Sequence, residues 1–253
     1  METQELLLIL TLFSAGLFAG IINTLAGGGS VFTLSAMIFA GIPANIANAT
    51  NRVGVLLQGM VSVKKFHDKK LLETSEWPYL IPITLGALAG SWFAVDIDEE
   101  VLEKVIGGIM VILLLVTIFK VKPTLDESPK SKSLIKQVFA YLMLFVSGFY
   151  GGFIQAGVGI LLLVTLSVTT NWSILQANSF KLLAVLVFTI PALAIFIYND
   201  LINWYYALIL SLGQMLGAYL ASVFGTTHPK AGIWVKRLLV VVIIFTIIKT
   251  FLF

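Results

Sequence analysis

The chain has 253 residues, of which 58% are hydrophobic and 11% are charged, and its formal net charge is +3. That balance leaves too little polar surface to cover a water-soluble globule, so it predicts a protein whose main solvent is lipid. Cysteine is absent, which excludes disulfides, thiolate chemistry and cysteine metal sites. The lysines cluster between apolar runs, as expected for cytoplasmic loops, and we therefore expect no nucleic-acid partner.

Apolar segments long enough to cross a bilayer, which takes about 20 residues, recur along the chain. In chain order they are 6–24, 46–63, 77–95, 101–119, 138–156, 175–198, 203–224 and 238–253. Two shorter apolar segments, 29–42 and 158–170, are predicted to be half-helices or re-entrant segments after glycine-rich turns. The sequence therefore predicts an all-α, multi-pass membrane protein.

Glycines and polar residues of the first segment recur in the fifth segment in the same order, which indicates two homologous helical repeats. Gly16, Gly20, Asn23, Gly27 and Gly29 are followed in the second half by Gly148, Gly152, Gln155, Gly157 and Gly159, and Trp77, Gly86 and Gly90 are matched by Trp204, Gly213 and Gly217. Chance recurrence of small residues in membrane helices is the alternative. The ordered set of glycine, polar and aromatic matches favours duplication.

The segment between the halves predicts their boundaries and orientation. Five lysines and two prolines lie within 120–136, which predicts a cytoplasmic loop. We expect a first transmembrane repeat at 1–121, a cytoplasmic linker at 122–136 and a second repeat at 137–253. The basic and acidic loops alternate in opposite order in the two halves, so we expect inverted repeats with a substrate site between them and with extracytoplasmic termini.

Two basic residues, Arg52 and Lys181, fall inside apolar segments, where a charge is costly and usually faces the bundle interior. Each follows an Ala-Asn pair, and all 13 carboxylates lie at segment ends or in loops. With no buried acid nearby in the sequence, a bound anion is the simplest counter-charge. The alternative is that both side chains extend to the membrane surface. The pattern predicts that the two cations converge on one anion-binding pocket.

Glycines and amide side chains complete the predicted substrate site. Backbone N–H groups at a helix start favour an anion, although close helix packing explains glycine equally well. Asn23 and Gln155 either bind substrate or cap free backbone groups. The predicted substrate-binding residues are Asn23, Gly27, Gly28, Gly29, Asn48, Asn51, Arg52, Gln155, Gly157, Gly159, Asn178 and Lys181. No catalytic set is visible, so we expect no enzyme activity, no metal and no cofactor.

The first-half run Gly20-x-x-Asn23-x-x-x-Gly27-Gly28-Gly29-Ser30, together with Gly41-Ile42-Pro43 and the polar run at 47–51, resembles the TauE/SafE family of sulfite-exporter-like membrane proteins. The run at 148–159 carries a weaker echo of it. The resemblance implies a permease of duplicated helical architecture in a bacterial inner or plasma membrane, with sulfite, sulfonates or other small organic anions as substrates. The second half departs from strict symmetry, because it lacks a full triple glycine and has Lys181 where Asn51 stands.

These features together predict a secondary transporter of small anions, and we expect export of sulfite or an organosulfur anion by alternating access. The expected partners are the anionic substrate and the lipid bilayer, and the oligomeric state is left open. A membrane-embedded interaction or assembly factor is the alternative, in which the polar residues only join helices. A polar chamber between the two halves distinguishes the transporter from the assembly factor.

Overall fold

The computed structural model describes residues 2–68, 74–118, 134–170 and 172–224, and this part of the chain contains helices and no strand. The helices are α1 (Glu2–Leu25), α2 (Ser30–Phe39), α3 (Ala44–Asp68), α4 (Leu80–Asp96), α5 (Glu99–Ile118), α6 (Leu134–Phe153), α7 (Val158–Thr169), α8 (Ile174–Tyr198) and α9 (Trp204–Phe224). A 3₁₀ turn, Thr74–Tyr79, precedes α4. The predicted span 238–253 and most of the predicted linker 122–136 lie outside the described residues.

Four helical segments of the described chain are long and apolar enough to cross a membrane: Thr3–Leu25, Trp77–Asp96, Leu175–Tyr198 and Trp204–Val223. They coincide with four of the predicted spans. Helix α3 covers the predicted span 46–63 and has 25 residues, which is about 37 Å of helix. Its buried face is polar, however, with Asn48, Asn51, Arg52 and Gln58 among its buried residues, and it is therefore much less apolar than the other long helices.

The two short helices cannot cross a bilayer by themselves. Helix α2 has 10 residues and α7 has 12, which gives about 15 Å and 18 Å of helix against a hydrocarbon core of about 30 Å. Glycines with left-handed backbone angles precede both helices: φ is +93° at Gly27 and +74° at Gly157. Only glycine adopts these angles without strain. The predicted half-helices are therefore short helices behind glycine turns, and their re-entry into a membrane stays a prediction.

Two tight helix contacts join the first half of the chain to the second. Helix α1 packs on α9, and α4 packs on α6. A Cβ atom built on Gly16 would lie 2.5 Å from the carbonyl oxygen of Leu210, so the helices touch backbone to backbone. The glycines at the α1–α9 contact are Gly16, Gly20, Gly213 and Gly217, and those at the α4–α6 contact are Gly86, Gly90, Gly148 and Gly152. Each glycine pair that recurs in the sequence thus lies in one of two corresponding contacts.

We expect Gly20→Ala to destabilise the bundle, because its Cβ would lie 2.9 Å from the backbone nitrogen of Ala218. Overpacking of this kind costs about 1–3 kcal/mol. Gly108→Ala is the matched control, since a Cβ there has nothing within 4 Å and alanine favours a helix over glycine by about 1 kcal/mol. Thermal unfolding of the two purified variants measures the difference. An unchanged melting temperature for Gly20→Ala contradicts the close α1–α9 contact.

Helices α3 and α8 cross at the centre of the bundle in opposite directions. Gly59 of α3 lies against Leu186 of α8, whereas the Arg52 guanidinium lies 4.6 Å from the ring centre of Phe196, farther along α8. The contacts of α1 with α9 and of α4 with α6 run parallel. Helices α3 and α8, which would correspond in the two halves, therefore run in opposite directions, as inverted repeats require. The duplication itself stays a prediction.

The outer faces of the bundle are apolar. Exposed large hydrophobic side chains lie on α1, α4, α6 and α9, and they include Leu6, Leu10, Ile81, Leu85, Trp92, Phe139, Leu142, Leu208 and Leu212. A water-soluble monomer rarely exposes so continuous an apolar surface. Buried polar side chains, in contrast, are concentrated on α3, and fewer lie on α2, α8 and α9. This inside-out distribution fits a lipid environment and directs attention to the polar interior.

Candidate functional site

The two glycine-rich turns meet at the centre of the bundle. A Cβ atom built on Gly27 would lie 2.5 Å from the Cα of Gly159, and a Cβ atom built on Gly159 would lie 2.5 Å from the Cα of Gly27. Both residues are buried. The starts of α2 and α7, which come from different halves of the chain, are therefore in backbone contact.

Asn23 holds the first of these turns. Its side-chain oxygen accepts a hydrogen bond of 2.7 Å from the backbone N–H of Gly29, just before the first residue of α2. This is the capping role that the sequence left open for Asn23. Gln155 behaves differently, because its amide nitrogen donates to the hydroxyl of Thr189 at 2.9 Å and its side-chain oxygen has no partner among the described residues.

Arg52 is fully buried and lies at the carboxyl end of α6. Its guanidinium donates to the backbone carbonyl oxygens of Gly151 at 3.0 Å, Gly152 at 2.6 Å and Phe153 at 3.3 Å. The side chain of Asn48, one turn earlier on α3, donates to the Phe153 carbonyl at 2.8 Å. The last carbonyls of a helix are unpaired and carry partial negative charge, so the first half of the chain here caps a helix of the second half.

Lys181 makes the corresponding contact at the carboxyl end of α1. Its ammonium donates to the carbonyl oxygen of Asn23 at 3.0 Å and to the side-chain oxygen of Asn178 at 2.7 Å. The amide nitrogen of Asn178 in turn donates to the Thr24 carbonyl at 3.3 Å. Neither Arg52 nor Lys181 forms an ion pair with a carboxylate of the described chain. Each cation is thus partly balanced by the end of a helix from the other half.

A small cavity, here called the central cavity, lies where the turns and the crossing helices meet. The residues that line it are Asn23, Gly27, Ser30, Val55, Gln58, Gly59, Ser62, Gln155, Val158, Gly159, Lys181, Leu182 and Val185. Its volume is about 20 Å³, counted as space for the centre of a water-sized sphere, which is enough for about one water molecule. A sulfite or sulfonate ion is larger and does not fit the cavity in this conformation.

The central cavity contains hydrogen-bonding capacity that the protein leaves unused. The side-chain oxygens of Gln58 and Gln155 are buried and have no hydrogen-bond partner within the described chain. Lys181 has three N–H donors, of which two are used by Asn23 and Asn178. Buried polar groups in native proteins are nearly always paired. The unused groups at this cavity therefore indicate a place where water or a polar ligand binds.

A second group of buried amides lies beside the cavity, between α2, α3 and α9. The side-chain oxygen of Asn51 accepts from the Thr33 hydroxyl at 2.6 Å and from the Gln214 amide at 3.1 Å. The amide nitrogen of Asn51 and the side-chain oxygen of Gln214 have no partner in the described part of the chain. Asn51 therefore joins helices, and it does not line the central cavity.

The structure brings together part of the predicted site. Five predicted residues line the central cavity: Asn23, Gly27, Gln155, Gly159 and Lys181. Arg52 and Asn48 contact the end of α6, Asn178 contacts Lys181 and the end of α1, and Asn51 faces α9. Gly28, Gly29 and Gly157 lie in the turns and do not line the cavity. The expected convergence of the two cations on one pocket is not seen in this conformation, because carbonyl groups of α6 hold Arg52 away from the cavity.

Sequence reasoning missed Gln58, Ser30 and Ser62, which also line the cavity. A signal for two of them was present, because Val55, Gln58, Gly59 and Ser62 continue the helical spacing of Asn48, Asn51 and Arg52 along α3. A polar stripe at that spacing marks the inward face of a membrane helix.

The apolar spanning helices and polar interior define an integral membrane protein of the helical class. The family described as "Sulfite exporter TauE/SafE" matches residues 12–250, and the chain belongs to this family of membrane transporters. The resemblance predicted from the glycine motifs is thereby confirmed.

Curated relatives agree with this assignment. A "Probable membrane transporter protein ORF9" from Sinorhizobium sp is 26% identical over 93% of this chain and 89% of its own length. A "Probable membrane transporter protein" from Haemophilus influenzae is 24% identical over 88% of this chain and 87% of its own. "Probable membrane transporter protein YfcA" from Escherichia coli K12 is 26% identical over 85% and 80%. No solved structure gives a significant match.

Proposed function

We propose that the protein is a secondary transporter of small anions, which binds its substrate in the central cavity and exports sulfite or a related organosulfur anion by alternating access. One observation carries the proposal: the Lys181 ammonium and the first turns of α2 and α7 border the same small cavity. No carboxylate is among the residues described as lining it. When Lys181 is protonated, the unbalanced charge at this place is therefore positive.

Helix dipoles support an anion as the ligand. The carboxyl ends of α1 and α6, which carry partial negative charge, are covered by Lys181 and Arg52. The amino ends of α2 and α7 carry partial positive charge, and Ser30 and Val158, their first residues, line the cavity. The negative helix ends are thus screened by full charges, whereas the turn before α2 meets only the neutral Asn23 side chain and α7 has no side-chain cap. Transporters with broken helices bind anionic groups at such amino ends.

The paired helix contacts support the proposal of two inverted repeats at 1–121 and 137–253, joined by a cytoplasmic linker at 122–136. The contacts of α1 with α9 and of α4 with α6 pair the first helix of each half with the fourth helix of the other half. Alternating access requires one half to rock against the other around a fixed site. We propose that this happens in a multi-pass protein of the plasma or inner membrane, and that the central cavity opens toward one side at a time.

A purely structural or assembly role does not account for the polar groups left unpaired around the central cavity. The helix-joining amides Asn51 and Gln214 also keep one unpaired atom each, but neither residue lines the central cavity. The unpaired oxygens of Gln58 and Gln155 lie at the cavity and accept hydrogen bonds, so they favour a place that holds water or a ligand with a donor group. The cavity therefore supports the transporter over the assembly factor.

We expect small anions to raise the melting temperature of the purified protein, because a ligand of the native state stabilises it by about 2.7 kcal/mol at roughly a hundredfold excess over its dissociation constant. The panel is sulfite, sulfate, thiosulfate, taurine, sulfoacetate, methanesulfonate and acetate. Lys181→Gln should lose this response and the matching flux into proteoliposomes, since the glutamine carries no charge. Thermal unfolding and tracer uptake measure the two effects.

Lys104→Gln is the control for that experiment. Lys104 is a well-exposed residue of α5 whose ammonium contacts Glu100 at 2.6 Å, far from any residue assigned to the site. Its replacement should leave the anion response unchanged. If no anion of the panel stabilises the wild-type protein or enters proteoliposomes, the proposed function is wrong. An equal response in Lys181→Gln and wild type removes Lys181 from the site.

A further inference from the structure

Lys181 is the one ionisable side chain among the described residues that line the central cavity. It is 1% exposed, and its hydrogen-bond partners are a backbone carbonyl and a neutral amide. Arg52, the other buried cation, has three carbonyl partners and a facing aromatic ring. An ammonium in a low-dielectric interior needs a counter-charge, and the partial charge of one helix end balances it incompletely.

No acid from the neighbouring helices is positioned to supply that counter-charge. Helix α7 has no ionisable residue, and the described acids of α1, α3 and α4 lie at helix ends. Of the basic and phenolic groups on the helices around α8, Lys65 lies over the ring of Tyr219 and the Tyr150 hydroxyl donates to the Ala156 carbonyl. Tyr79, at the end of the 3₁₀ turn before α4, packs its ring against Phe180. The remaining ionisable groups on these helices are Glu2, Glu5, Lys64, His67, Asp68, Asp96, Lys136, Tyr141 and Tyr198.

We propose that Lys181 is the proton-coupling site of the transporter, so that each monovalent anion is carried together with one proton. The inference rests on the proposed function and adds the coupling ion to it. Lys181 is protonated when an anion occupies the cavity, and it releases the proton when the anion leaves. Arg52 stays charged throughout and keeps its place at the end of α6.

The charge and atom balance of this cycle is simple. On one side of the membrane, the neutral amine of Lys181 takes up a proton and the cavity takes up the anion, which gives an ammonium beside an anion with no net charge. That neutral complex reorients. On the other side the anion leaves, the ammonium returns its proton to water, and the empty site with a neutral amine reorients back. Binding of the proton and of the anion therefore favour each other reciprocally.

Coupling of this kind fixes the ratio at one proton for each anion. The direction of transport then depends on the concentration gradients of the proton and of the anion. A cytoplasm more alkaline than the outside favours uptake of a proton and anion together. Export then proceeds when the outward gradient of the anion exceeds the opposing pH gradient. For a monovalent anion the membrane potential has no effect on the net driving force, because the transported pair is neutral.

The wild-type protein alone provides the first test. Purified full-length protein is reconstituted in proteoliposomes that contain a pH-sensitive dye, and the membrane potential is held at zero with valinomycin and potassium. The probe is an inward gradient of methanesulfonate, which is a monoanion throughout the pH range of the experiment. We expect the lumen to acidify by about one proton for each methanesulfonate that enters. Binding of methanesulfonate should weaken by about tenfold for each pH unit above the range where Lys181 loses its proton.

Lys181→Arg is the decisive variant, because arginine keeps a positive charge that it does not release. We expect this variant to bind methanesulfonate with an affinity that no longer changes with pH. It should exchange labelled for unlabelled methanesulfonate across the membrane, while net uptake and lumen acidification are lost. Lys104→Arg makes the same replacement at the exposed α5 position and should behave like wild type.

The possible results separate this inference from the proposed function. Methanesulfonate flux without proton movement in the wild type leaves a transporter and overturns proton coupling. A pH dependence that persists unchanged in Lys181→Arg assigns the proton to another group and also overturns it. If methanesulfonate neither binds to nor crosses with the wild type, sulfonate transport fails and proton coupling fails with it. A misfolded Lys181→Arg variant leaves the stoichiometry of the wild type as the deciding measurement.

Discussion

Replacement of Gly27 by alanine is expected to prevent formation of the native bundle. Its Cβ would lie 2.5 Å from the Cα of Gly159 and 2.9 Å from the nitrogen of Ile160. These are backbone atoms of the opposite glycine turn and cannot rotate away. The left-handed φ of +93° at Gly27 adds about 1–2 kcal/mol for any residue with a Cβ. We expect a total loss of more than about 4 kcal/mol, seen as a low monodisperse yield and a strongly lowered melting temperature.

Gly41→Ala separates the two causes. Gly41 has a similar φ of +78°, but a Cβ there has nothing within 4 Å. This control should lose only the cost of the backbone angle. The reverse substitution, Gly159→Ala, has the clash without the backbone-angle cost, because its Cβ meets Gly27 at the same distance and its φ is not left-handed. It should therefore be damaging, but less so than Gly27→Ala. If Gly27→Ala is no less stable than Gly41→Ala, the two turns do not touch and the central cavity is built differently.

Helix positions and paired glycines were the parts of this fold that the sequence could predict. Long apolar runs define spans because lipid cannot pair a backbone group, and Thr3–Leu25 and Leu175–Tyr198 fall where expected. Glycines in a membrane helix mark close approach, and Gly20 and Gly90 do lie in tight contacts. The order of residues along one helix was sufficient to predict these spans and contacts, because each depends on the residues of a single helix face.

The partners of the buried cations could not be predicted in the same way. The carbonyl groups that Arg52 contacts belong to residues 99 to 101 positions later in the chain. Every backbone has carbonyls, and no sequence pattern shows which helix end will stop beside a given side chain. A search of the sequence for acidic counter-charges therefore found none and pointed to an anion. In the folded protein, the carbonyl ends of two helices act as partial counter-charges. Arg52 contacts three such carbonyls, whereas Lys181 contacts one.

Because Arg52 has more carbonyl partners than Lys181, we expect Arg52→Gln and Lys181→Gln to affect different properties. The first should mainly lower thermal stability, and the second should mainly remove the response to anions. Arg52→Gln leaves buried carbonyls of Gly151, Gly152 and Phe153 without their charged donor, at a cost of about 3–5 kcal/mol. We expect a large drop in thermal stability. Lys181→Gln retains a donor for the Asn23 carbonyl, so its stability should fall less while its response to anions is lost.

Thermal unfolding with and without methanesulfonate measures both quantities in one experiment. Arg52→Lys, which keeps the charge but not the forked geometry, should recover part of the stability lost in Arg52→Gln. An Arg52→Gln protein that is as stable as wild type but no longer responds to methanesulfonate makes Arg52 a direct ligand of the anion. In that case the anion-bound conformation must release the guanidinium from α6, and the two cations converge on the cavity only when substrate is present.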